Sequence, residues 1–153
     1  MQVELDISGR IEKNEDTVLG MGGALERTLL VQKRQKSFMW NLIEGVESRR
    51  GRKRRGRSAQ SIRLFAIMCY MQLIACPSNV TSAVIDKDYY GHEGTIKAYI
   101  LDLMRVHGHD PNRIHISFGA VGKGAAHSVA IAVFRGDKVA NVVLSAEDIL
   151  EFY

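Results

Sequence analysis

The chain begins with Met1-Gln-Val-Glu-Leu-Asp-Ile-Ser-Gly-Arg10, a short run in which apolar and polar residues alternate before a glycine. A period of two predicts a half-buried strand over residues 3–7, and the glycine predicts a turn directly after it. Asp6 therefore stands near the end of a first strand. A carboxylate in that position either caps the turn or helps to hold a cation, and the sequence leaves both roles open.

A second run, Asn79-Val-Thr-Ser-Ala-Val-Ile-Asp86, has the same character, because a β-rich stretch again ends in an aspartate. Two strands that end in acids bring those acids together if the strands are neighbours in one sheet. Both runs have the apolar composition of buried strands. We therefore predict that the strand of Asp6 lies centrally in a mixed sheet, next to the strand of Asp86.

Hydrophobic periodicity places the remaining elements in an alternating α/β order. It predicts strands over residues 17–23, 24–32, 80–85, 113–118 and 139–144, and helices over residues 36–48, 58–75, 93–106 and 145–153. Ser145 and Asp148 have the spacing of a capping box at the start of the last helix. Residues 125–134 fit either a helix or one arm of a hairpin, and the alanine-rich start favours the helix. The predicted fold class is α/β, with a mixed sheet of five to six strands flanked by helices.

Length and composition indicate an ordinary globular protein. A chain of 153 residues with 46% apolar and 25% charged residues predicts one domain over residues 1–153. The two cysteines, Cys69 and Cys76, do not suggest a disulfide framework, so a reducing compartment is expected. The start of the chain lacks an apolar leader, and the most apolar stretch, residues 64–75, is too short to cross a bilayer. We predict a soluble cytoplasmic protein with no membrane partner.

The positive charge is concentrated in residues 49–57, Arg-Arg-Gly-Arg-Lys-Arg-Arg-Gly-Arg. Removing these seven positive charges from the net charge of +4 leaves the remainder at −3. Dense like charges and two glycines predict a flexible loop. We expect its central residues to contact phosphates of DNA or RNA without reading the sequence, because the loop has no aromatic side chain for base stacking. These residues are Arg52, Lys53, Arg54 and Arg55; the alternative is a solvated linker.

A second candidate phosphate contact is Lys123, in the glycine-rich connection Gly119-Ala-Val-Gly-Lys-Gly124. A lysine in such a loop can approach a phosphate closely. The stretch is not a Walker A motif, because Gly124 stands where that motif has Ser or Thr. An enzyme that binds a phosphorylated small molecule at this loop is a further alternative.

Three stretches carry a resemblance to a known superfamily. Asp6-Ile-Ser-Gly-Arg10 resembles the Asp-Glu-Ala-Gly-Arg opening of type II ribonucleases H. Ala125-Ala-His-Ser-Val-Ala-Ile-Ala-Val-Phe-Arg135 is similar to an alanine-rich helix of the same enzymes, and Gly122-Lys-Gly124 is similar to the Gly-Lys-Gly of Holliday-junction resolvases. Together with the element order, these short stretches make most of the chain resemble the ribonuclease H-like superfamily.

The resemblance implies a metal-dependent nuclease that acts on structured or hybrid nucleic acid. In that role Asp6 and Asp86 would be catalytic, and they would hold Mg²⁺ or Mn²⁺ with help from Asp88. Asp88 is two residues beyond Asp86 and points to the same side if the strand extends; as a loop residue it would instead be solvated. His127 would stand in for the last acid of the superfamily, as a ligand or a proton carrier, although a lone histidine is more often a packed or surface residue.

The chain also departs from the superfamily pattern. Ile7 stands where type II ribonucleases H have a glutamate, so a further carboxylate has to come from another element. Glu44 and Glu47 on the first predicted helix are candidates, but we favour the interpretation that both are surface acids. The missing glutamate supports a second function, a nucleic-acid binding protein that keeps the fold without catalysis.

Overall fold

The computed structural model describes residues 1–51 and 56–153, and within these ranges it has six strands and five helices. The strands are β1 (Gln2–Ser8), β2 (Thr17–Gly23), β3 (Arg27–Val31), β4 (Ser82–Asp86), β5 (His115–Gly119) and β6 (Val142–Leu144). The helices are α1 (Lys33–Arg49), α2 (Arg57–Ile74), α3 (Glu93–Val106), α4 (Ala125–Phe134) and α5 (Ala146–Leu150).

All six strands form one mixed sheet in the order β5-β4-β1-β2-β3-β6. The first three strands are an antiparallel meander, and β4 runs parallel to β1 on its other side. The outer strands are also parallel to their neighbours, β5 to β4 and β6 to β3. The predicted α/β fold class is confirmed, and so is the internal position of the Asp6 strand beside the Asp86 strand.

The larger core lies between one face of the sheet and helices α1, α2, α3 and α5. Strand residues that alternate along β1 and β2, such as Val3, Leu5 and Leu19, point into this core, as the period of two requires. Helix α2 is apolar on nearly every side and is buried against the sheet. Its buried Gln72 is satisfied, because Nε2 donates to the carbonyl oxygens of Leu19 (2.9 Å) and Arg27 (3.1 Å). In the described part of the chain, no helix has both the length and the hydropathy needed to span a membrane.

Helix α4 packs on the opposite face of the sheet, where two glycines of β2 allow a very close approach. A Cβ atom on Gly20 would lie 2.5 Å from the carbonyl oxygen of Ala126 and 2.8 Å from Cβ of Ala130. A Cβ atom on Gly22 would lie 2.4 Å from the backbone nitrogen of Ala126. These contacts are with backbone atoms and with a Cβ atom that the backbone fixes, so a larger residue could fit only if the helix moved. The glycines of β2 therefore set the height of α4 above the sheet.

The close approach leads to a first prediction. We expect Gly20→Ala to lower the free energy of unfolding by about 1–3 kcal/mol, because the added methyl group overpacks the contact between β2 and α4. The matched control is Gly45→Ala on exposed α1, where the nearest atom to a new Cβ is the end of Arg49 at 3.9 Å. That change is expected to raise stability by up to about 1 kcal/mol, because alanine has the higher helix propensity. Urea denaturation measures both, and equal stability of Gly20→Ala and wild type would contradict the prediction.

Several predicted boundaries differ from those observed. Helix α1 begins at Lys33 rather than at residue 36, because Asp16 accepts the Lys33 backbone N–H at 2.7 Å and so caps the helix from a distant loop. The helix over residues 125–134 and the capping box of Ser145 and Asp148 are confirmed. The ends of the basic segment were predicted wrongly as loop, because Arg49 closes α1 and Arg57 opens α2. The four central basic residues, 52–55, lie outside the described residues.

Candidate metal centre

Parallel pairing of β1 with β4 brings the two strand-end acids together. Leu5 pairs with Ile85, so the next residue on each strand is Asp6 and Asp86 respectively. Side chains of adjacent residues in register point to the same face of a sheet, which here is the face that α4 partly covers. Asp88 follows two residues later and joins them. The three carboxylates each place an oxygen within 4.8 Å of the other two.

Tyr89, the neighbour of Asp88, anchors the segment after β4 in the core. The Tyr89 ring is buried against Phe65, with a centroid distance of 5.0 Å, and its hydroxyl donates to Glu12 at 3.2 Å. The guanidinium of Arg10 lies 5.1 Å from the centre of the same ring. Tyr89 thus connects the segment after β4 to the loop after β1, and it prevents Asp88 from turning into solvent as a free loop residue.

The loop after β1 is itself held by a buried lysine. Lys36 of α1 is buried, and its Nζ donates to the carbonyl oxygens of Arg10 (2.9 Å) and Lys13 (3.1 Å). Burial lowers the pKa of Lys36 to about 8, against the opposing effect of the acids Glu15, Glu12 and Asp16. This contact ties the Arg10 backbone to α1, and the Arg10 charge acts on the pKa of Asp88.

The cluster is electrostatically strained in the absence of a cation. Burial, together with the charges of Asp6 and Asp86, raises the pKa of Asp88 to about 7, and nearby Arg10 only partly opposes this shift. Burial also raises the pKa of Asp6, although the hydrogen bond with His127 acts in the opposite direction. Oδ2 of Asp88 is buried and has no hydrogen-bond partner among the described residues. A buried, unpartnered carboxylate oxygen beside two further carboxylates is an arrangement that a cation would stabilise.

His127 reaches the cluster from α4. Its Nδ1 lies 2.8 Å from Oδ2 of Asp6, and the imidazole keeps about a third of its surface exposed while Asp6 is almost fully buried. This contact depends on the close packing of α4 on Gly20, because Gly20 is the cross-strand partner of Asp6. With Nδ1 engaged by Asp6, the ring nitrogen that remains for other chemistry is Nε2. His127 is thus a hydrogen-bond partner of one clustered acid and is not itself one of the three clustered groups.

Asp86 has a partner of its own in the loop between β5 and α4. The backbone N–H of Val121 donates to Oδ1 of Asp86 at 2.8 Å. The same loop carries Lys123, which is exposed. At the end of the loop, Oε2 of Glu4 lies 2.8 Å from the position of a Cβ on Gly124. A carboxylate therefore already stands beside the first residues of α4, which disfavours a phosphorylated small molecule at this helix end.

The glutamates of α1 do not join the cluster. Glu47 is buried and accepts hydrogen bonds from the Tyr153 hydroxyl at 2.6 Å and from Nε2 of Gln60 at 3.2 Å. The interpretation of Glu47 as a surface acid was therefore wrong, and its structural role is to connect α1, α2 and the end of the chain. Glu44 is half-buried on the same helix and is not part of the carboxylate group.

Two contributors to the carboxylate cluster, and one neighbour of the basic segment, were not identified from the sequence. Arg10 was quoted only as part of a motif, yet it lies close enough to Asp88 to influence its pKa. The Val121 contact is made by a backbone amide, so no residue type could have indicated it. Trp40 stacks on Arg57, 3.9 Å from the guanidinium to the ring centre, and thus places an aromatic ring beside the end of the basic segment. Arg52, Lys53, Arg54 and Arg55 themselves lie outside the part of the chain that the structure describes.

The donor set of the cluster restricts what it can bind. Three carboxylates and no thiolate favour a hard divalent cation, since such ions prefer oxygen ligands. Comparisons with protein-family models, with curated proteins and with solved structures found no match for this chain.

Proposed function

We propose that this chain is a Mg²⁺- or Mn²⁺-dependent nuclease, similar to the ribonuclease H-like enzymes, that hydrolyses phosphodiester bonds in structured or hybrid nucleic acid. One observation carries the proposal: Asp6, Asp86 and Asp88 converge to within 4.8 Å, with a buried, unpartnered oxygen on Asp88. Asp6 and Asp86 come from the neighbouring parallel strands β1 and β4, and Asp88 lies in the loop after β4. The meeting of Asp6 and Asp86 is what their positions in two β-rich runs led us to expect.

The chemistry of the three carboxylates suits phosphodiester hydrolysis. The reaction has to neutralise charge on a non-bridging oxygen, activate a water molecule and stabilise the leaving oxygen. Two divalent ions about 3.5–4 Å apart can supply all three effects. In our proposal Asp6, Asp86 and Asp88 would hold the ions, and Asp6 is also oriented by its contact with His127.

His127 is proposed to transfer a proton during hydrolysis. Its Nδ1 faces the Asp6 carboxylate, which holds the ring in one orientation and favours the tautomer that donates from Nδ1. Nε2 is then free to accept a proton from the attacking water or to pass one to the leaving oxygen. Lys123, exposed in the adjacent loop, is proposed to contact a phosphate that flanks the cleaved bond.

One observation favours the second candidate function, a nucleic-acid binding protein on the same fold without catalysis. Ile7 packs toward the larger core, so β1 supplies one carboxylate to the cluster where type II ribonucleases H supply two. Without that acid, the cluster holds one cation more readily than two. A single ion would still bind a phosphate, but it would give less assistance to the attacking water and the leaving group.

In either case we propose that the partner is DNA or RNA, and that the basic segment supplies most of the affinity. The described residues on its flanks, Arg49, Arg50 and Arg57, are exposed. Guanidinium groups bind phosphate oxygens and release counterions, which makes such binding strongly dependent on salt. Trp40 beneath Arg57 offers one ring for stacking in addition to these charges.

The basic segment leads to a second prediction. Replacing Arg52, Lys53, Arg54 and Arg55 together with Ser should weaken binding to DNA and RNA almost equally for all sequences. The slope of log affinity against log salt should become shallower by up to about 4, since each lost phosphate contact removes about one unit. Fluorescence anisotropy with labelled oligonucleotides measures both quantities.

The matched control replaces two exposed basic residues of the turn after α4, Arg135 and Lys138, with Ser. This control should change the salt slope much less than the replacement of all four residues, 52–55, does. An unchanged affinity and slope after the replacement of all four residues would instead identify the basic segment as a solvated linker.

The experiment that tests the proposed function is cleavage of end-labelled duplex, hybrid, single-stranded and branched substrates with Mn²⁺ or Mg²⁺. We expect cut products from at least one structured or hybrid substrate, and none when a chelator removes the metal. Absence of cleavage on every substrate, combined with salt-dependent binding, would favour the non-catalytic function.

A further inference from the structure

The hydrogen bond between Val121 and Asp86 joins two parts of the proposed site that are 35 positions apart in the chain. We propose that the backbone N–H of Val121 is a positioning group for the metal centre. It orients the Asp86 carboxylate for the cation, and it couples cation binding to the loop of residues 120–123, which presents Lys123. This inference rests on the metal site of the proposed function.

The Val121 amide orients the Asp86 carboxylate. Oδ1 of Asp86 accepts the Val121 N–H at 2.8 Å, which leaves the second oxygen available to a cation between Asp86, Asp6 and Asp88. Without this contact the carboxylate of a residue at the end of a strand could rotate. Hydrogen bonds from outer groups to metal-ligating side chains are commonly worth 10–100-fold in metal affinity. The Val121 amide is such an outer group.

The loop of residues 120–123 is held in place at both of its ends. Its two ends are packed tightly, since a Cβ on Gly119 would lie 3.3 Å from Val84 and one on Gly124 would lie 2.8 Å from Glu4. Between them the chain turns at Gly122, whose φ of +62° is easily adopted only by glycine. The Val121–Asp86 hydrogen bond attaches this loop to the sheet just before the Gly122 turn, two residues before exposed Lys123. The position of Lys123 therefore depends on where the Asp86 carboxylate lies.

A second contact attaches the segment after β5 to another acid of the cluster. His127, in the first turn of α4, contacts Asp6 at 2.8 Å, just as Val121 contacts Asp86. The loop and the helix that follows it are thus attached to two of the three clustered acids, one attachment to each. A cation that draws these two acids together also fixes the loop relative to the substrate phosphate.

The test compares Val121→Pro, which lacks the backbone N–H, with Val121→Ala, which keeps it and only shortens an apolar side chain. Mn²⁺ affinity is measured from the electron paramagnetic resonance signal of free Mn²⁺, without any substrate. We expect Val121→Pro to bind Mn²⁺ at least about 10-fold more weakly than wild type. Val121→Ala should bind it as wild type does, because an effect of lost packing alone would appear in this variant.

Because proline can also disturb the loop, a second measurement uses the unaltered protein. In a Mg²⁺ titration followed by amide NMR, the Val121 and Lys123 signals should shift over the same concentration range as those of Asp6 and Asp86. The amide of Gly136, in a comparable exposed glycine turn beyond α4, should not shift.

The outcomes separate the inference from the proposed function. Equal Mn²⁺ affinity of Val121→Pro and wild type would overturn the inference and leave the metal site intact. Mg²⁺ shifts confined to the carboxylate residues would overturn it as well, whether or not the proline variant folds. Absence of metal binding by wild type would overturn both, while weak binding by Val121→Pro together with normal binding by Val121→Ala would support the inference.

Discussion

Asp6→Asn is expected to reduce cleavage by more than about 100-fold, because it removes a carboxylate at the centre of the cluster. Asp6 is the acid that contacts His127 and also lies within 4.8 Å of the oxygens of Asp86 and Asp88. Changes in groups that only support metal ligands typically cost 10–100-fold, so loss of a ligand should cost more. The asparagine has nearly the same shape, so the packing of β1 against Gly20 and α4 should be retained.

Binding of the same substrates should be largely unchanged in Asp6→Asn, because the proposed affinity comes from the basic segment. The measurements are the initial rate of cleavage with Mn²⁺ and the anisotropy of the labelled substrate with the metal omitted. The control is Asp137→Asn, an exposed acid in the turn after α4. If Asp6→Asn cleaves as fast as Asp137→Asn, the cluster is not the catalytic centre.

The second large effect is expected in the pH dependence of stability. The folded-state pKa of Asp88 is raised to about 7, and that of Asp6 is raised as well, so the folded protein binds more protons than the unfolded chain near neutral pH. The contribution of these two carboxyls to stability should then fall as the pH rises between about 4, where unfolded aspartate ionises, and about 7. The full rise in the pKa of Asp88 corresponds to about 4 kcal/mol of stability. Partial solvent access reduces the expected loss of stability to about 2 kcal/mol.

A divalent cation should reverse this loss, because it binds the ionised carboxylates of the native state. At a concentration of about 100 times its Kd, one bound ion adds about 2.7 kcal/mol of stability. The rise in melting temperature caused by Mg²⁺ or Mn²⁺ should therefore be much larger at pH 8 than at pH 5. Differential scanning calorimetry with and without the metal measures this difference directly.

Asp88→Asn provides the matched test of the origin of this effect. Without metal at pH 8 it should be more stable than wild type, because a strained charge has been removed. It should also gain less from added metal, while Asp137→Asn should follow wild type in both respects. A wild-type stability that rises from pH 5 to pH 8 in the absence of metal would contradict the electrostatic account of the cluster.

Much of the fold could be predicted because its information is local. The alternation in residues 3–7 predicted β1, and the spacing of apolar residues predicted α3 with the bounds Glu93–Val106 that the structure has. The capping box of Ser145 and Asp148 was also visible, since both partners are three residues apart. The start of α1 was missed because its cap, Asp16, comes from a loop that sequence spacing does not connect to Lys33.

Part of the candidate site could also be predicted from local patterns in the sequence. Asp6 and Asp86 were identified because each ends a β-rich run, and a parallel pair of such strands aligns its ends. The sequence left two interpretations of Asp88 open, a solvated loop residue and a metal ligand. It could not show that Tyr89 is buried and so turns Asp88 inward. Glu47 was judged to be a surface acid because its partner Tyr153 is 106 positions away.

The sequence by itself determined the order of elements, the two aspartates at strand ends and the concentration of positive charge in one segment. Those properties follow from neighbouring residues, through periodicity, propensity and charge density. The tertiary structure decided which groups meet: Asp88 with the two strand-end acids, His127 with Asp6 across 121 positions, and the Val121 amide with Asp86. Such contacts depend on strand pairing and on the approach of α4 to Gly20 and Gly22, and these follow from burial of the whole sheet rather than from any local pattern.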